Sequence, residues 1–156
     1  MSSVRISASP GSGPLPLLLV RHAWAGEREH WSGDDRLRPL DVRGRRQAEA
    51  LVERLAPFRP GRILSSPFRR CLETVEPLAR RLAIDVEARE ELSEGSDPET
   101  ALALLVGLGG DGVVCTHGDL APALFGEPLP YGKGETWVLE RSADGGLRPA
   151  RSLLAP

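Results

Sequence analysis

The chain has 156 residues, with 20 Lys+Arg against 22 Asp+Glu and a formal net charge of -2. That length supports one domain with a real core, and that balance gives no reason to expect nucleic acid or an anionic membrane as a partner. The two cysteines, Cys71 and Cys115, form neither a CxxC pair nor a disulfide framework, which fits a reducing, cytoplasmic setting.

Residues 1–14 are rich in Ser, Gly and Pro and contain no apolar run. They read as a flexible tail, not as a secretory signal or a membrane span, and residues 15–156 read as a single domain. Leu17 to Val20 is apolar throughout and predicts a buried first strand. Gly26 to Pro39 is polar and irregular. Asp41 is placed to cap a helix over Val42 to about Leu55, with Val42, Ala48, Leu51, Val52 and Leu55 on one face. Arg62 to Ser66 predicts a second short strand.

Ser66 as cap and Pro67 at the first helical position predict that a long amphipathic helix starts there, with a kink or restart at Pro77. Ile84 to Ala88 predicts an edge strand. Ser96 or Asp97 opens a helix through about Val106. Gly112 to Thr116 is another strand, and the proline-marked stretch after it holds at most a short helix. Thr136 to Glu140 and Leu147 to Leu153 close the chain as strands. Strands alternating with helices predict an α/β fold, a three-layer sandwich around a mostly parallel central sheet.

In such folds ligands bind beyond the carboxyl ends of the strands. Three predicted strands end in polar residues with chemistry to offer. The first ends in Arg21-His22. The second ends in Ser65-Ser66, with Arg69 and Arg70 one turn into the next helix. A third ends in Thr116-His117-Gly118. Parallel strands bring all three ends to one rim. Imidazole is a competent nucleophile toward phosphorus, and guanidinium holds nonbridging phosphoryl oxygens and stabilises transition-state charge. Together they point to phosphoryl transfer.

The blocks "LLLVRHA", "RPLDVRGRRQA", "ILSSPFRRCLET" and "VVCTHGD", in that order, resemble the signature blocks of the histidine phosphatase superfamily, with its phosphoglycerate mutase-like fold. The resemblance spans about Leu17 to Asp119 and is nearest to the compact bacterial members: phosphohistidine phosphatases and the phosphatase domain linked to Nudix hydrolases. It implies a phosphatase that acts on a phosphomonoester, phosphohistidine or nucleotide phosphate through a phosphohistidine formed on His22. Arg21, Arg70 and His117 would bind phosphate, with Ser66 beside them and Thr116 in the surrounding shell. The block Arg38-Pro39-Leu40 with Gly44 and Gln47 would dock the first helix.

A general acid for the leaving group is implied for the larger members. Glu94 is the favoured candidate here, with Glu91 and then Glu27 behind it. No acid at all is the other possibility, and it would limit the enzyme to good leaving groups. No cofactor is implied, and His22, His30 and His117 lack metal-ligand spacing. Expected partners are a phosphorylated small molecule, a nucleotide or a phosphohistidine protein. A non-catalytic phosphate- or phosphopeptide-binding module is the alternative, and a phosphosugar mutase a more distant one. Trp24, Trp31 and Trp137 are candidates for stacking on a base.

Overall fold

The computed structural model describes residues 16–126 and 129–156; the tail expected at residues 1–14 lies outside them. Six strands form one sheet: β1 (Leu17–Arg21), β2 (Arg62–Ser65), β3 (Val86–Ala88), β4 (Gly112–Thr116), β5 (Thr136–Arg141) and β6 (Leu147–Leu153). Their order across the sheet is β3-β2-β4-β1-β5-β6. The pairs β3–β2, β2–β4 and β4–β1 are parallel; β1–β5 and β5–β6 are antiparallel.

Alternation along the strands builds the three layers. Leu18 and Val20 of β1, Ile63 of β2, and Val113 and Cys115 of β4 face one side. There they pack on Leu51, Val52 and Leu55 of α1 (Val42–Leu55) and on Cys71, Val75 and Leu78 of α2 (Arg69–Leu82). Leu17, Leu19, Leu64 and Val114 face the other side, against Ala101 and Leu105 of α3 (Pro98–Leu108) and Leu120 and Ala121 of α4 (Leu120–Phe125). Among the described residues no helix is long and apolar enough to cross a membrane.

The capping expected from the sequence is present at two helices. Asp41 accepts from the Gly44 N–H at the start of α1, and Asp97 accepts from the Thr100 N–H at the start of α3. Three local expectations are corrected. The second helix begins at Arg69, not Pro67: Phe68 is its cap, and the Ser66 hydroxyl instead accepts from the Phe68 N–H at 3.2 Å. That helix runs through Pro77 to Leu82 without restarting. Val42 is 54% exposed; the buried face of α1 is Gly44, Gln47, Ala48, Leu51, Val52 and Leu55. The polar stretch Gly26 to Pro39 holds two 3₁₀ turns, Arg28–His30 and Asp35–Leu37.

Candidate active site

The register of the sheet brings three strand ends together. Arg21 pairs with Thr116, and Ser65 pairs with Cys115. One step further, the His22 N–H donates to the Thr116 carbonyl and the Ser66 N–H to the Cys115 carbonyl, both at 3.0 Å. His22, Ser66 and His117 therefore leave β1, β2 and β4 side by side. The rings of His22 and His117 meet edge to face, with centroids 5.4 Å apart. Phe68 stands 4.6 Å from His117.

His22 is 5% exposed. Its Nδ1 lies 2.8 Å from the Ala23 carbonyl. A carbonyl only accepts, so Nδ1 carries the hydrogen and Nε2 keeps its lone pair. Burial, chiefly, takes the His22 pKa down to about 3, against the Ala23 carbonyl that favours the charged form. Coulombic repulsion from His117, Arg70 and Arg21 adds to the lowering. The ring is thus neutral at any ordinary pH, with the Nε2 lone pair free.

Arg70 is fully buried. Its Nη1 donates to the Asp35 carbonyl at 2.8 Å, and its Nη2 sits 3.1 Å from both Asp35 Oδ2 and Glu94 Oε1. Arg21 donates from Nη1 to the Tyr131 carbonyl at 2.7 Å. Its guanidinium lies against Gly118, where a Cβ would come within 2.6 Å of Arg21 Cζ. Among the described residues three buried nitrogens at these groups have no hydrogen-bond partner: Arg21 Nε, Arg70 Nε and His117 Nδ1. A buried unsatisfied donor costs about 1–3 kcal/mol. Each of these three groups thus keeps one nitrogen unspent near the His22 ring, and an oxyanion, which only accepts, suits such a set.

The carboxylates take other places. Glu94 Oε1 and Oε2 both accept from Arg28 Nη2 at 3.0 Å, and Oε1 also faces Arg70. Glu91 pairs with Arg89, whose hydrogen bond holds the Glu91 carboxyl below its usual range. Glu27 is exposed, and its carboxylate makes no hydrogen bond among the described residues. Ser66 Oγ lies 2.9 Å from His117 Nε2. Thr116 Oγ1 lies 3.2 Å from the Tyr131 hydroxyl. Arg69 points outward and pairs with Glu73.

Sequence reasoning missed Asp35, Thr74 and Tyr131. Asp35 contacts Arg70, Arg38 and Arg28. Burial would raise its pKa, but the Arg38 hydrogen bond and these guanidiniums outweigh burial and lower it. Thr74 Oγ1 accepts from the Ala23 N–H at 3.0 Å and donates to the Arg70 carbonyl at 2.7 Å, tying the end of β1 to α2. Its signal was the spacing Arg70-to-Thr74, one helical turn on the same face. Asp35 and Tyr131 sit in loops, where no periodicity marks a residue. The stacking role considered for the tryptophans finds other partners: the Trp24 ring is covered by Arg43 and Lys133 at 4.2 and 4.1 Å. The indole N–H groups of Trp31 and Trp137 donate to the Asp34 and Pro130 carbonyls.

The model of the histidine phosphatase superfamily (branch 1) matches residues 17–97, and the chain belongs to that superfamily. Among relatives, the chain is 39% identical over 156 residues to the 8-oxo-(d)GTP phosphatase of Mycolicibacterium smegmatis. The match covers 90% of this chain and 48% of that protein, so the chain spans about half the relative's length. Among solved structures, the protein histidine phosphatase SixA complexed with tungstate superposes with a TM-score of 0.77 at 22% identity, covering 88% of this chain and 96% of that one. A mycobacterial glucosyl-3-phosphoglycerate phosphatase superposes with a TM-score of 0.69 at 19% identity, covering 87% and 97%. These last two likenesses are likenesses of fold.

Proposed function

We propose that this chain hydrolyses phosphoanhydrides of a nucleotide through a covalent phosphohistidine. The observation that carries the reading is the set of unpaired nitrogens on Arg21, Arg70 and His117, three groups close to the His22 ring, whose Nε2 is free. In the first step His22 Nε2 attacks phosphorus, and the bond from phosphorus to the leaving oxygen breaks. That oxygen departs with the electron pair. In the second step water attacks the phosphoryl group, the P–N bond breaks, inorganic phosphate leaves and the water's proton passes to solvent. Arg21 and Arg70 hold the nonbridging oxygens and offset the charge that grows on them.

The choice of leaving group follows from Glu94. A carboxylate accepting from Arg28 and facing Arg70 has no proton in place for an alkoxide. A phosphoanhydride needs none, because its leaving phosphate is already a weak base. The name of the Mycolicibacterium smegmatis relative, an 8-oxo-(d)GTP phosphatase, supports a nucleotide.

The test is direct. The purified chain is incubated with a nucleoside diphosphate labelled in its terminal phosphate, quenched, and assayed for protein-bound label that is stable in base and lost in acid. His22→Ala is expected to lose both label and turnover. EDTA is expected to leave the rate unchanged, and orthovanadate to inhibit. Turnover that survives in His22→Ala would sink the covalent reading. Phosphate binding with no turnover of any phosphorylated substrate would favour a binding module.

A further inference from the structure

Two cysteines lie at the base of this site, and neither takes part in the chemistry above. Cys71, in the first turn of α2, is fully buried, and its sulfur lies 3.5 Å from His117 Nε2. The Ser66 hydroxyl meets the same nitrogen at 2.9 Å. The other ring nitrogen, Nδ1, is buried and has no partner among the described residues. His117 is 1% exposed, so solvent does not satisfy it.

We propose that Cys71 is a positioning residue: its sulfur, with the Ser66 hydroxyl, occupies His117 Nε2 and so leaves Nδ1 as the N–H that faces the phosphoryl group. The inference rests on the phosphatase reading, and it adds a residue that acts only through another. A thiol and a hydroxyl each have a hydrogen to give. If either gives it to Nε2, the neutral ring must carry its own proton on Nδ1. If the thiol instead passes its proton outright to Nε2, the ring becomes an imidazolium beside a thiolate, and Nδ1 is again an N–H. Both arrangements aim a donor at an anion that can only accept.

The surroundings favour this use of the sulfur. Burial opposes the thiolate, but hydrogen bonds from Cys115 and His117 outweigh it and lower the Cys71 pKa to about 6. Cys115 goes the other way, with burial first and its neighbour Cys71 next raising it well above the ordinary range. The contact is also fixed mechanically. Cys71 N–H donates to the Phe68 carbonyl at 3.0 Å, and the Phe68 ring packs against His117.

Apolar and polar replacements of Cys71 separate this role from simple packing. In a wholly buried pocket, packing alone predicts that Cys71→Val or Cys71→Ala is tolerated better than Cys71→Ser. Positioning predicts the reverse. Cys71→Val is expected to lower kcat about tenfold, the scale of a lost hydrogen bond to a charged group, and Cys71→Ser to restore most of it. The second readout does not need turnover. Nitrogen-15 spectra of the His117 ring, recorded with inorganic phosphate bound, should show a protonated Nδ1 in the wild type and in Cys71→Ser. In Cys71→Val and Cys71→Ala the proton should be lost from Nδ1 or exchange between the two nitrogens. Thermal unfolding of each variant reports whether it is folded, and Cys71→Ala replaces Cys71→Val if the latter is not. Apolar variants with wild-type kcat and an unchanged His117 ring spectrum would overturn the proposal, as would a serine variant no better than valine. If the wild type itself lacks turnover but the ring spectra behave as stated, the positioning stands and the phosphatase reading fails.

Discussion

At the residue scale, His22 is an imidazole kept neutral by its surroundings. With a pKa near 3, its own protonation does not intrude between pH 7 and pH 5. The profile of kcat/KM, corrected for ionisation of the substrate, should therefore carry no limb from His22 at the ordinary histidine value near 6.5. A limb at that value, lost in no other variant, would mean the ring is hydrated and the burial argument fails. The same shift makes a stability prediction with a definite sign. The unfolded chain binds a proton at His22 below about pH 6.5, while the folded one refuses it until about pH 3. Stability is fully present above 6.5 and declines as pH falls through that window. Urea unfolding of wild type and His22→Asn across it should show the wild type losing on the order of a few kcal/mol more than the variant.

Gly118 sets a limit of a different kind. A methyl group there would sit 2.6 Å from Arg21 Cζ and 2.8 Å from its Nε. The guanidinium would have to turn away, and it would take the Nη1 bond to the Tyr131 carbonyl with it. Gly118→Ala should thus raise KM for phosphorylated substrates and weaken inhibition by vanadate, while thermal stability changes little, because Arg21 moves at the site and not in the core. An unaltered KM would place Arg21 outside the phosphate site.

At the element scale, the site depends on how α1 meets the end of β1. A Cβ on Gly44 would come 1.9 Å from the Trp24 carbonyl oxygen, a contact with backbone that no side-chain rotation relieves. Gln47 completes the join: its Oε1 accepts from the Trp24 N–H and its Nε2 donates to the Lys133 carbonyl. Arg38 closes it from above by donating to the Ala25 carbonyl at 2.7 Å. Gly44→Ala should cost about 1–3 kcal/mol, the range for overpacking a tight contact, and should lower activity through His22. Chemical denaturation with a parallel rate assay checks both, and full activity at normal stability would show that the helix is free to shift. These docking residues were readable in the sequence as one block. So were the three strand ends, because apolar runs that stop at polar residues have one reading in a parallel sheet. What was not readable came from competition between local signals. Ser66 and Pro67 form a good helix start, but Ser66 Oγ is drawn to His117 Nε2 and the helix waits until Arg69. Val42 fits the apolar face by spacing, yet it is exposed while Gly44, in the same turn, is buried. Asp35 reaches Arg70 across 35 positions of sequence, a tertiary contact with no periodic trace.

At the scale of the whole molecule, the proposed phosphatase turns on its leaving group. Arg70 is held on one side by Asp35 and on the other by Glu94, and Glu94 is held in turn by Arg28. The arrangement keeps an arginine in place in the absence of substrate. It also spends both oxygens of Glu94, the candidate acid beside Arg70. Proton donation to a leaving alcohol is worth about 10²–10⁴ in rate when a positioned acid supplies it. Without that acid, rate should follow the basicity of the leaving group. Across a panel of nucleoside diphosphates, p-nitrophenyl phosphate, phosphoserine and a sugar phosphate, kcat/KM should fall steeply from the first two to the last two. Glu94→Gln sharpens the test. If Glu94 only steadies Arg70, the variant should lose a similar factor on every substrate, through weaker phosphate binding. If Glu94 donates a proton, the loss should be confined to the alkyl phosphates, and the wild type should have turned them over well. The second pattern would return Glu94 to the role of general acid and move the natural substrate away from phosphoanhydrides.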